Sequence, residues 1–122
     1  MSPCPCGLPA LLDDCCGRVH GGAPAPTAEL LMRSRYSAFA VADAAYLLRS
    51  WHPSTRPRSL ELDPGQEWQR LIVLECTRGG LLDVEGTVSF VARYELHGTP
   101  GAVRETSRFS RHDGRWVYLD AV

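Results

Sequence analysis

Four of the five cysteines lie among the first sixteen residues, as Cys4-x-Cys6-x8-Cys15-Cys16. A stretch this short, rich in Cys, Gly and Asp, cannot bury enough apolar surface to hold itself folded. Four thiols gathered by one loop are the donor set of a tetrahedral zinc ion, and the ion supplies the folding energy that the loop lacks. The adjacent Cys15 and Cys16 can both reach one ion if they open a helical turn. An alternative ligand set replaces one of them with His20. Four thiolates leave zinc no open position for water, so a structural ion is expected and a catalytic one is not. Such a site carries two net negative charges, which Arg18 and the backbone N–H groups near Gly7 and Gly17 are placed to offset.

Clustered cysteines are metal ligands more often than disulfides in a reducing compartment. The start of the chain has neither a basic segment nor an apolar one of the kind that directs secretion. A cytoplasmic location and no membrane association are therefore expected. The fifth cysteine, Cys76, sits in the apolar run Leu71-Ile-Val-Leu-Glu-Cys and is expected to be a buried core thiol. The formal net charge is -1, and all 13 basic residues are arginine. That balance gives no footprint for general nucleic-acid binding.

The 122 residues suit one domain with a small appendage. Residues 1–22 form the cysteine knuckle, Gly21–Pro26 a short linker, and 27–122 the main domain. Thr27 reads as an N-cap for a helix over 28–41, with Glu29 in its first turn. Asp43 caps a second helix, with Ala44, Leu47, Leu48 and Trp51 on one face, ending near His52-Pro53. Asp63-Pro64-Gly65-Gln66 predicts a short third helix through Arg70. Residues 71–78, 84–97, 102–110 and 115–121 read as strands separated by glycine-containing turns. Three helices followed by a four-stranded antiparallel meander make an α+β fold.

These segments carry a resemblance. Cys4-Pro5-Cys6-Gly7 with Cys15-Cys16 resembles the SEC-C motif, the zinc-binding tail of the bacterial preprotein translocase ATPase SecA. Pro26–Phe39, Tyr46-Leu-Leu, Trp51–Pro57, Phe90–Tyr94, Glu105–Phe109 and Gly114-Arg-Trp116 resemble the YchJ family of small bacterial proteins. The resemblance implies a zinc knuckle joined to a cone-shaped nuclear transport factor two-like (cystatin-like) domain, with helices on a curved sheet. Carried over by position, the zinc ligands are Cys4, Cys6, Cys15 and Cys16. The spacer Gly7–Asp14 departs from the motif: it is more apolar and has no aromatic residue.

On a helical wheel of 30–42, Leu31, Met32, Tyr36, Ala38, Phe39 and Ala42 form an apolar arc. Arg35 falls inside it, while Arg33 and Ser37 fall outside. A buried guanidinium needs a partner. Alternation puts Val103, Glu105, Ser107 and Phe109 on the core face of their strand, so an inward Arg35–Glu105 pair is expected. This pair is either a structural clamp between helix and sheet or the floor of a pocket walled by Tyr36, Trp51, His52 and Tyr94. His52 fits a helix C-terminus, and Arg56 and Arg58 a solvated loop. Trp51, Trp68 and Trp116 fit core or rim positions. The inward face of the last strand is open, because Trp116, Val117, Tyr118 and Leu119 are all apolar.

The expected function is non-catalytic: a zinc-dependent protein-interaction module, or a binder of a small ligand in the cone pocket. Resemblance to the SecA tail implies a chaperone or ribosome-associated partner. The competing expectation is a small pocket enzyme (an isomerase, dehydratase or hydrolase) with Glu105 or His52 as base and Arg35 gripping an anionic group. A dimer through the outer sheet face is a third possibility. Arg93, Glu95, Arg104 and Arg108 on that face argue against a dry interface.

Overall fold

The computed structural model describes residues 2–122. A single 3-10 turn, Leu12–Asp14, precedes helices α1 (Cys16–His20), α2 (Ala28–Ala40) and α3 (Ala44–Arg49). Strands β1 (Gln66–Arg78), β2 (Glu85–Leu96), β3 (Thr99–His112) and β4 (Arg115–Ala121) follow. The strands form one antiparallel sheet in the order β1-β2-β3-β4. Three helices and a four-stranded open sheet make the α+β class expected of this chain. No helix is long and apolar enough to cross a membrane among the described residues.

One helix is not where the caps place it. The segment 64–70 is not helical: Gln66 opens β1, and Trp68 pairs with Tyr94 of β2. The Asp63 carboxylate accepts the Gly65 N–H at 2.8 Å, closing a turn of two residues rather than capping a helix. Strand pairing then outweighs a weak local preference. The third helix is instead α1, inside the knuckle.

Thr27 Oγ1 accepts the Leu30 N–H at 3.1 Å and starts α2. The Ala28 N–H donates to the Gly79 carbonyl at 2.9 Å, which sets the helix start on the β1–β2 end of the sheet. Gly79 has φ +80, and a Cβ there would lie 2.7 Å from the Ala28 Cβ, so this junction requires glycine. The core between α2 and the sheet contains Leu31, Met32, Tyr36, Leu71, Val88, Ala92, Phe109 and Trp116. Asp43 Oδ1 caps α3 at the Tyr46 N–H, 3.0 Å away, and α3 buries Leu47 completely.

Alternation holds along β2 and β3: Val88, Ala92, Ser107 and Phe109 are buried. It fails along β1, where register shifts fall between Trp68 and Arg70 and between Val73 and Glu75. Each extra residue resets the alternation, so Trp68, Leu71, Val73 and Cys76 all stand opposite the inward row Tyr94, Ala92, Phe90 and Val88. Cys76, expected in the core, is exposed at the far end of β1, with its thiol 3.4 Å from Glu29 Oε1. Partial desolvation and the Glu29 carboxylate push that thiol up to about 11, which keeps it protonated and a poor nucleophile. The open question on β4 resolves through a further shift between Arg108 and Phe109: Tyr118 stands opposite Phe109, and both Trp116 and Val117 are buried. The segment after α3 runs beside β4. The Tyr118 N–H donates to the Ser50 carbonyl at 2.8 Å, and the His52 N–H to the Tyr118 carbonyl at 2.7 Å. This covers part of an otherwise free sheet edge.

Candidate metal centre and the cavity beneath α2

The knuckle is a folded-back loop closed by sulfur. The Cys4 N–H donates to the Ala10 carbonyl (2.9 Å) and the Leu12 N–H to the Ser2 carbonyl (2.9 Å), which brings Cys4 and Cys6 beside the turn carrying Cys15. Gly7, at φ +92, makes the reversal. Cys16 opens α1. Gly17 follows it because a Cβ there would sit 2.7 Å from the Leu12 carbonyl oxygen.

The four Sγ atoms of Cys4, Cys6, Cys15 and Cys16 all lie within 4.8 Å of one another. The Cys6–Cys15 sulfur separation is 3.7 Å. A tetrahedral ion with metal–sulfur bonds of about 2.3 Å sets its sulfurs roughly 3.8 Å apart, so the residues fit such an ion. His20 is not a member of this cluster. Its Nε2 lies 2.8 Å from the Ser34 carbonyl and its ring packs 4.6 Å from Tyr46. Cys4, Cys6 and Cys16 are buried and Cys15 is half-buried. The thiols control one another. Hydrogen bonding from Cys16 lowers Cys6 to about 5, whereas burial and the neighbouring sulfurs push Cys15 up to about 11. Hydrogen bonding to Cys6, with burial, also raises Cys16. Four such sulfurs ionise together only around a cation.

The knuckle rests on the face of α2 that the wheel leaves outside the apolar arc. The Ser37 hydroxyl, completely buried, lies 3.5 Å from the Cys4 sulfur. Arg33 Nη1 donates to the Cys6 carbonyl at 2.8 Å while its Nε holds Glu29 Oε2 at 2.9 Å. Arg49 Nη2 donates to the His20 carbonyl at 2.6 Å, and the Ser34 hydroxyl meets the Tyr46 hydroxyl at 2.6 Å. Arg33 and Ser37 are thus the residues that hold the centre, a role their polar character concealed. Arg18 stays exposed. Gly17→Ala is expected to weaken metal affinity at least about 5-fold, since overpacking costs about 1 kcal/mol or more. Gly21→Ala, whose Cβ would meet nothing closer than 3.4 Å, is the control. Competition with a chromophoric chelator reads both. Equal affinities would show that the α1 start tolerates the extra carbon.

A second feature lies between α2 and the sheet: a cavity of about 360 Å³. Arg35, Tyr36, Trp51 and Glu105 line it, whereas His52 and Tyr94 do not. Tyr94 packs over Gly101 and against Trp68, 5.2 Å between ring centroids. The expected Arg35–Glu105 ion pair does not form. Arg35 is 7% exposed, and its Nη1 donates to the Leu47 carbonyl and to Ser50 Oγ, both at 2.7 Å. Its guanidinium lies over the Tyr118 and Trp51 rings, 4.6 and 5.1 Å from their centroids. Aromatic faces and a carbonyl replace the carboxylate. Glu105 is exposed. His52 Nδ1 is engaged by the Ser54 N–H (3.0 Å) and Ser54 Oγ (2.8 Å), with no carboxylate to orient it. Arg56 donates twice to the Trp51 carbonyl and so fastens its own loop. Of the residues singled out for a pocket enzyme, Arg35 and Glu105 thus line one cavity without pairing, and His52 stands outside it.

Residues 27–121 match the family model described as the middle nuclear transport factor two-like domain of YchJ. This chain belongs to the YchJ family. Curated relatives carry the family label UPF0225. The protein of Streptomyces coelicolor is 55% identical over 97% of this chain and 93% of its own length. That of Chromobacterium violaceum is 50% identical over 98% and 91%. Two solved structures are similar throughout. The solution structure of a SEC-C motif protein from Rhodopseudomonas palustris has a TM-score of 0.84 at 32% identity, covering 100% of this chain and 98% of that one. The crystal structure of a SEC-C motif protein from Psychrobacter arcticus has a TM-score of 0.78 at 28% identity, covering 96% and 80%. This YchJ-family chain thus joins a four-cysteine, metal-binding SEC-C-type knuckle to a nuclear transport factor two-like domain.

Proposed function

We propose that this YchJ-family protein is a non-catalytic zinc protein whose knuckle is a protein-interaction element held against the cone domain. One observation carries the reading: four cysteine sulfurs lie within 4.8 Å of one another. A thiolate-only set favours zinc over hard cations. It completes the coordination sphere, so the ion shapes the knuckle and is not a site of hydrolysis. The tip between the cysteine pairs faces solvent, with Gly7, Pro9, Asp13 and Asp14 exposed. Its two carboxylates suit a basic protein surface and repel nucleic-acid phosphates. By analogy with the SecA tail, the partner is a chaperone or a ribosome-associated protein in the cytoplasm.

The test compares proteins captured from native lysate by the full chain, by Asp13→Ser/Asp14→Ser and by Cys15→Ser/Cys16→Ser. The first variant keeps every ligand and alters only the tip. A partner bound by the wild type and lost from both variants is the expected result. An identical set of captured proteins in all three would leave the ion with a folding role alone.

A further inference from the structure

We infer that the cavity beneath α2 binds a small carboxylic acid with a flat apolar body, with Arg35 as its counter-charge. This inference is independent of the metal centre. The cavity's volume, about 360 Å³, lies at the small end of the range for small-molecule sites. Its walls include the rings of Tyr36, Phe39, Trp68, Phe90 and Tyr118. Arg35 is the one cation among them.

Arg35 is unusual in what it is not paired with. A buried cation is normally matched by an acid, because its desolvation is otherwise uncompensated. Here no ion pair involves Arg35 among the described residues. Only Nη1 is used in hydrogen bonds; Nε and Nη2 make none to the described residues. Those two nitrogens are also not among the sealed polar atoms that lack partners, which are Trp51 Nε1, Ser110 Oγ and Trp116 Nε1. They are the unused donors of a residue that lines the cavity. Burial lowers the guanidinium to about 10, so it stays charged at neutral pH while lacking a counter-ion. Two adjacent guanidinium N–H groups match the two oxygens of a carboxylate. A phosphate dianion calls for more donors than this single arginine supplies. Ring-lined walls select a flat apolar body. Glu105, the one acid on the lining, is exposed, whereas Arg35 is buried, and a buried charge is screened much less than an exposed one.

The experiment uses the full-length, metal-loaded protein and two probes of one shape, 2-naphthoate and 2-naphthamide. Binding is followed by calorimetry and by tryptophan fluorescence, since Trp51 and Trp68 line the cavity. Saturable binding of the acid is expected, with the amide weaker by about 10-fold or more, as for loss of a charge-assisted hydrogen bond. Arg35→Met, of similar length, is expected to weaken the acid about 10- to 100-fold and leave the amide unchanged. Inorganic phosphate is not expected to displace the acid. The comparison of acid with amide needs no variant, so it stands even if Arg35→Met misfolds. Equal affinity for acid and amide, displacement by phosphate, or no saturable binding of the acid would each overturn the assignment. So would full acid affinity in folded Arg35→Met.

Discussion

Removing the metal is expected to unfold residues 2–22 while the cone domain stays folded. The buried cluster of the knuckle consists of Cys4, Cys6 and Cys16, with Leu8, Leu12 and Cys15 packed against it. Sulfur is the greater part of this core, so the ion that joins the sulfurs is its main source of stability. Structural zinc contributes an apparent 10–16 kcal/mol, about, in small zinc-dependent peptides. The hydrogen bonds fastening the knuckle to α2 contribute about 1 kcal/mol each, somewhat more where Arg33 supplies the charge. Hydrogen exchange after chelation reads the result. The Cys4 and Leu12 amides, which close the loop on Ala10 and Ser2, are expected to lose protection, while those of β2 and β3 keep it. Cys15→Ser/Cys16→Ser should reproduce the pattern. Protected Cys4 and Leu12 amides in the metal-free protein would mean that the loop folds on contacts with α2 alone.

Phe109→Ala is expected to destabilise the cone domain by about 3–5 kcal/mol. Phe109 is 2% exposed, stands opposite Gly86 on one side, and meets the Tyr118 ring edge-on at 5.9 Å on the other. Glycine offers no side chain to fill the space left by the ring, so the void persists. A domain of this size has about 5–15 kcal/mol in total, and the loss is a large share of it. Urea denaturation with the metal in place gives the number. A change under about 1 kcal/mol would show that Tyr118 and Trp116 collapse into the space.

What could be read in the sequence differs from element to element, for physical reasons. The cysteine cluster was legible because its ligands are near neighbours in the chain and their chemistry is local. The starts of α2 and α3 were legible because Thr27 and Asp43 make capping bonds within three residues. Alternation along β2 and β3 gave the core face, since their pairing with each other is unbroken. The apolar run misplaced Cys76 because burial also needs a cover: Cys76 stands opposite buried Val88 on the helix-facing row, but on an edge strand where it meets only the start of α2 at Glu29. The helix over 64–70 failed because its caps compete with strand pairing, a non-local term. Arg35 was correctly singled out as a cation on a buried face, but its partners are a carbonyl, a hydroxyl and two rings rather than an acid. Those partners lie on α3, the segment after it and β4, too far along the chain for any wheel to show. Arg33 and Ser37 fall outside the apolar arc, and their role was hidden for a related reason: the surface that covers them is the knuckle, which has no apolar stripe to announce itself.

X-ray absorption at the metal edge of the purified protein is the most direct test of the central claim. The account predicts four sulfur neighbours at about 2.3 Å and no oxygen or nitrogen in the coordination shell. A shell containing a nitrogen or an oxygen would contradict it, by restoring either a histidine ligand or an open position for water.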